Sequence, residues 1–126
     1  MTFNYKKAVT EFWNSMDNHD WETLRGFFHQ NAKIAWPNTD EIFSVDEYIR
    51  INRMYPGLWQ LRLEDVQMTE RNIISIVLIT SKDEILPKSF RAVAFFRFEN
   101  GLIVNLTEYF AQDEKAPDWR ENIASE

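Results

Sequence analysis

The chain has 126 residues, 14 basic and 20 acidic side chains, a net charge of −6 and no cysteine. That length supports one domain spanning residues 1–126, and the acidic balance without a basic run excludes a phosphate-backbone partner. The missing cysteines exclude disulfides, thiolate nucleophiles and zinc–thiolate sites together.

The first element is a helix in which Tyr5, Ala8, Val9, Phe12, Trp13 and Met16 recur at three- and four-residue steps. Asp17–Asp20 breaks the pattern, and Asp20 is an N-cap for a short second helix with Trp21, Leu24, Phe27 and Phe28 facing inward. Lys33–Trp36 reads as a short strand, ended by Pro37 and a polar turn over Asn38, Thr39 and Asp40. Ser44-Val-Asp-Glu47 is a capping box that opens a third helix, which Pro56-Gly57 stops.

The remainder reads as sheet. Trp59, Leu61 and Leu63 alternate with polar residues, and the phase then moves to Val66 and Met68, which predicts a bulge near Glu64-Asp65 and a bent strand. Ile73–Thr80 is a β-branched run of the kind covered on both faces. Ser89–Phe98 alternates again, and Asn100-Gly101 signals a tight hairpin into the last strand. Helices first and strands last predict an α+β fold, three helices packed in a strongly bent, mainly antiparallel sheet that forms a cone-shaped barrel.

Other classes fall away. Gly26, Gly57 and Gly101 are too far apart for a Walker loop, a dinucleotide fingerprint or a nucleophile elbow. The start of the chain lacks an apolar stretch of signal-peptide length, and no window approaches the roughly 18 apolar residues of a spanning helix, so a cytoplasmic protein without membrane contact is expected. Asp17, His19, Asp20 and Glu22 read as helix caps and solvated charge, and His29 stands apart from them, so no metal is expected. Nor does any motif call for a cofactor.

The strongest pointer to chemistry is Glu108. In Leu102–Phe110 the residues Leu102, Val104, Leu106 and Phe110 share one face, and a two-residue period sets Glu108 among them. A carboxylate on an apolar face is costly unless it is paired, hydrogen-bonded or lining a cavity. It reads either as a general acid or base in an aromatic pocket, or as half of a structural ion pair with an arginine. A slip in register would instead put it in solvent.

The order of elements, together with Ile34-Ala-Trp-Pro-Asn-Thr39, Asn52-Arg-Met-Tyr-Pro-Gly57, Glu108-Tyr-Phe110 and Ala116-Pro-Asp-Trp-Arg120, resembles the SnoaL-like branch of the nuclear transport factor 2-like superfamily. The resemblance covers essentially the whole chain. It implies an apolar pocket at one end of the cone, a homodimer through the outer face of the sheet and an apolar small molecule as partner. It also implies that the acid–base triad of ketosteroid isomerase is missing, because Phe12, Trp36 and Ala94 stand at those positions. Polyketide cyclase and epoxide hydrolase relatives keep a working carboxylate near Glu108. The Asp-Arg-Asp set of the epoxide hydrolase finds only Arg91 here.

A pocket is therefore expected to hold Glu108 with Trp13, Trp36, Trp59, Phe96 and Phe110 as apolar walls. Asn38, Asn52, Tyr48 and Tyr55 are candidates for polar contacts, the last three on one helical stripe, with Arg91 as a further lining residue. Trp119 is expected to fold over the open end or across a partner. Cofactor-free isomerisation, cyclisation, hydration or dehydration fits this set. A non-catalytic binding or dimerisation module fits it as well.

Overall fold

The computed structural model describes residues 3–83, 85 and 88–124. Helix α1 (Tyr5–Asp17) starts at Asn4, whose side chain accepts from the Lys7 amide, and buries Val9, Phe12, Trp13 and Met16. It ends in a left-handed residue, His19 (φ 56°), around which the His19 amide donates to the Met16 carbonyl and the Asp20 amide to that of Ser15. Asp20 then caps α2 (Trp21–Gly26). Phe27 and Phe28 do not extend that helix: Phe27 is its C-cap and Phe28 begins β1 (Phe28–Trp36).

Strand β1 is longer than Lys33–Trp36 because its pairing is tertiary. It runs parallel to β6 (Leu102–Gln112), with Phe28 opposite Ile103 and Ala35 opposite Thr107. The polar letters His29, Gln30 and Asn31 hide that pairing from any alternation test. The polar turn after Trp36 is a single 3-10 turn over Pro37–Thr39, closed by Asp40 at φ 55°, and it feeds a short edge strand β2 (Glu41–Phe43) with no sequence signal of its own.

Helix α3 (Val45–Met54) has both halves of its capping box: the Glu47 amide donates to Ser44 Oγ at 3.2 Å and the Ser44 amide to Glu47 Oε1 at 2.9 Å. Removing the hydroxyl in Ser44→Ala is expected to cost about 1 kcal/mol of unfolding free energy, measured by urea denaturation.

The sheet order is β2-β1-β6-β5-β4-β3, where β3 is Trp59–Met68, β4 Ile73–Ser81 and β5 Ser89–Glu99. All pairs are antiparallel except β1 with β6, and the two edges do not meet, so the cone is open rather than a closed barrel. The register of β3 on β4 slips between Leu63 and Asp65, the bulge the sequence predicts. Asn100 (φ 51°) and Gly101 (φ 79°) form the β5–β6 turn.

Strand β4 departs from expectation. Ile73, Ser75, Val77 and Ile79 are buried, whereas Ile74, Ile76 and Leu78 on the outer face are only half-buried. The start of β6 departs too. Phe98 pairs with Ile103 and Arg97 with Asn105, so Val104 is an extra residue on β6. The phase therefore flips: Ile103 is buried where Leu102 and Val104 were expected, and from Leu106 onward the inward set runs Leu106, Glu108, Phe110.

The inner face of the sheet closes over α1. Phe12 meets the edges of Trp13, Phe28 and Phe96 at 5.0, 5.8 and 5.0 Å between centroids, and Trp13 Nε1 donates to the buried Ser75 Oγ at 3.0 Å. This seals the narrow end of the cone. A final helix, α4 (Asp118–Ala124), follows β6. No helix among the described residues is long and apolar enough to cross a membrane.

Candidate functional site

The wide end of the cone holds a cavity of about 790 Å³. Glu108 lies in its wall and is 2% exposed. The parallel pairing of β1 with β6 places the end of β1 alongside it, and Trp36 Nε1 donates to Glu108 Oε1 at 2.9 Å. Trp36 is held by rings on three sides: Phe43 at 4.9 Å, Phe110 at 5.3 Å and Tyr48 at 6.3 Å between centroids, all edge-to-face. Its donor is thus fixed in direction. An indole N–H can only donate, so this contact persists whether Glu108 is ionised or not.

Tyr48, on the inward face of α3 and 1% exposed, sets its hydroxyl beside the carboxyl as a second donor. Burial pushes the Glu108 carboxyl up to about 7, and the donors Trp36 and Tyr48 oppose that rise. The Tyr48 phenol is pushed well above its usual range, first by burial and then by the Glu108 charge, so it stays a neutral donor. Among the described residues no arginine, lysine or histidine pairs with Glu108. Trp36→Phe keeps an aromatic wall but deletes the fixed donor, and Glu108 is expected to titrate above about 7 in that variant, read from its side-chain carboxyl ¹³C shift against pH.

The two asparagines have defined work. Asn38 Oδ1 accepts from the Phe110 amide at 2.8 Å, which ties the turn after β1 to the end of β6. Asn52 Nδ2 donates to the Tyr48 carbonyl at 2.9 Å within α3. Each lines the cavity while bracing a neighbour of Glu108.

Trp13, Trp36, Tyr48, Trp59 and Phe110 line the same cavity as Glu108, as do Asn38, Asn52 and the half-exposed Tyr55. Three expected lining residues lie elsewhere. Arg91 is on the outer face of β5, where its guanidinium binds Glu64 Oε1 at 2.8 Å and Asp113 Oδ1 at 2.6 Å. From Arg91 onward the odd positions of β5 point outward, which the alternation of Phe90, Ala92, Ala94 and Phe96 already implied. Phe96 is inward but packs in the sealed end against Phe12. Trp119 sits on α4, 63% exposed, with Arg120 at 5.4 Å from its ring, and covers nothing in the cavity.

Residues not singled out from the sequence also line the cavity: Phe90 and Ala92 on β5, and His19 and Trp21 at the α1–α2 turn. The first pair shares the inward phase of Phe96 and was legible from it. The His19–Trp21 stack, 5.3 Å between centroids, depends on the left-handed His19 backbone and had no sequence signal.

The pattern of SnoaL-like domains matches residues 9–106 of the chain. The chain belongs to the SnoaL-like domain family. Glu108 itself lies two residues beyond the matched stretch, so its place in the site rests on geometry. No curated protein sequence matches the chain.

Solved structures share the fold of this SnoaL-like protein at low identity. A putative ketosteroid isomerase from Kribbella flavida is 21% identical with a TM-score of 0.79, over 93% of this chain and 84% of that one. An epoxide hydrolase of the LEH-like type from M. tuberculosis is 15% identical with a TM-score of 0.69, over 83% and 80%. A protein of ketosteroid isomerase-like fold from Catenulispora acidiphila, in complex with trimethylamine, is 10% identical with a TM-score of 0.69, over 87% and 88%. At these identities the likeness is one of fold.

Proposed function

We propose that this SnoaL-like protein binds an apolar small molecule in the open end of its cone and that Glu108 moves a proton on it without a cofactor. The observation that carries the reading is a buried carboxyl with a raised pKa, facing an aromatic cavity and held by two neutral donors. A carboxyl titrating near 7 is present as both acid and base at neutral pH, the condition under which it takes a proton in one step and returns it in the next. Isomerisation, cyclisation, hydration and dehydration all need that exchange.

The geometry favours these over the reactions of two fold relatives. The residues at the ketosteroid isomerase positions are Phe12, buried in the core, Trp36, the donor to Glu108, and Ala94, the β5 partner of Glu108. Arg91, the arginine that matches an epoxide hydrolase set, is committed to Glu64 and Asp113 and does not line the cavity. The Catenulispora neighbour, with trimethylamine bound, makes small amines one ligand class to test.

A homodimer through the outer sheet face is proposed with it. Ile74, Ile76, Leu78, Val93 and Phe95 form a half-buried apolar strip across β4 and β5, continued by the exposed Tyr109 on β6. A second copy would cover it.

The test is titration of Glu108 by carboxyl ¹³C NMR, together with native mass spectrometry for a molecule retained from the expression host. A midpoint near 7 and a retained apolar molecule are expected. A midpoint near 4.5 with an empty cavity would remove the reading.

A further inference from the structure

Glu108 is a buried acid with no basic partner among the described residues, and aromatic side chains line the cavity it faces. We propose that the ligand of this cavity carries an organic ammonium group, whose positive charge takes the place beside Glu108 that a lysine or arginine holds in a structural ion pair. The inference rests on the reading of Glu108 as the group that meets the ligand.

An ionised carboxylate taken out of water is costly, and neutral donors recover only part of the lost solvation that a counter-charge restores. Trp36 and Tyr48 are such donors. The elements packed on Glu108 offer nothing else. Its β5 partner is Ala94, flanked by Ala92 and Phe96, and its inward neighbours on β6 are Leu106 and Phe110. From β1 and α3 the only titratable group facing it is Tyr48. The other charged or titratable groups of the cavity, His19, Arg53, Tyr55, Lys88 and Asp113, are all exposed, and none of them enters the balance at Glu108. The site beside Glu108 therefore discriminates by charge: the carboxylate repels an anion, and a cation compensates its charge as a neutral molecule does not.

The walls suit a cation as well as an apolar body. Trp36 and Phe110 meet at 83°, Phe90 and Phe110 at 61°, and Trp59 and Phe90 at 72°. None of these pairs is stacked, so no ring of these pairs lies flat over the face of the other. An ammonium group over such faces is attracted by the ring quadrupole, the more strongly as water is excluded. An aromatic enclosure with one carboxylate is how alkylammonium groups are held where hydrogen bonding cannot hold them. Proton and ligand cation then compete for the same negative charge.

The experiment uses two probes of nearly identical shape, benzyltrimethylammonium and its uncharged carbon analogue neopentylbenzene. Their binding to the full chain is measured by calorimetry between pH 5 and 8. At pH 8 the ammonium is expected to bind at least about tenfold tighter than the hydrocarbon. Its affinity is expected to fall about tenfold per unit as pH drops from 7 to 5, because the proton displaces it, while the hydrocarbon shows no such loss. Glu108→Gln should abolish both the preference and the pH dependence and still bind neopentylbenzene, which reports an intact cavity. Equal binding of the two probes at pH 8, or an ammonium affinity flat from pH 5 to 8, would overturn the proposal. If neopentylbenzene binds and Glu108 titrates near 7 under those outcomes, the acid–base reading stands and only the ammonium inference falls. If neither probe binds, both fall.

Discussion

In Glu108→Gln, proton transfer on a bound substrate is expected to slow by about 10²–10⁴-fold, while affinity for a neutral apolar ligand stays within a few-fold. The substitution isolates chemistry from shape. Glutamine has nearly the volume of glutamate, and its amide oxygen still accepts from Trp36 Nε1, which now sits 2.9 Å from Oε1. The wall of rings around Trp36 is untouched. What disappears is a group able to exist in two protonation states near neutral pH. An assay that needs no knowledge of the product suffices: deuterium incorporation from solvent at the carbon next to the carbonyl in a series of enolisable ketones, followed by NMR. The wild-type rate should rise with pH through a midpoint near 7, because the carboxylate is the base. If wild type and variant exchange at the same rate, Glu108 is an anchor and the protein a binding module. Trp36→Phe provides the intermediate case, with activity retained and the midpoint moved upward.

Much of this site was legible in the sequence because the relevant physics is local. The period of two carries Glu108 inward from Leu106 whatever happens upstream, and the capping box at Ser44 fixes the start of α3 and hence the phase of Tyr48 and Asn52. The misses are tertiary. The single extra residue at Val104 flips the first part of β6, and nothing in the amino-acid pattern announces a bulge among uniformly apolar residues. The length of β1 and the existence of β2 depend on pairing with strands far along the chain or on a turn of three residues. Arg91 follows the alternation of its own strand and faces outward to Glu64, so its match to a relative's arginine does not place it in the cavity. The bond that matters most, Trp36 to Glu108, joins residues 72 apart and exists only because β1 and β6 run parallel. The fold order was readable; that contact was not.

The same raised pKa makes Glu108 a liability for folding, with a definite sign. The carboxyl has its ordinary value of 4.5 when unfolded and about 7 when folded. Between those values the native chain holds a proton that the unfolded chain has released, so its contribution to stability is fully present below about pH 4.5. It declines as pH rises toward 7 and is flat beyond. A shift of this size corresponds to about 3 kcal/mol at order-of-magnitude precision. Glutamine does not titrate, so the difference in unfolding free energy between Glu108→Gln and wild type isolates this one group. Glu47, held below its usual range by the Ser44 helix cap, Glu64, held down by Arg91, and Asp113, held down by the Ser89 hydroxyl and then Arg91, act in the opposite direction but are common to both chains and cancel. Paired urea titrations at pH 4, 5, 6, 7 and 8 should therefore show the variant gaining on wild type by about 3 kcal/mol in total, with most of the change between pH 4.5 and 7. A flat difference curve would mean that Glu108 titrates as an exposed glutamate does, and that the carboxyl has found a way to water that its burial among Trp36, Tyr48 and Phe110 denies it. A rising curve would identify a residue whose ionisation burdens the fold, the balance expected of a group held buried for its chemistry rather than for stability.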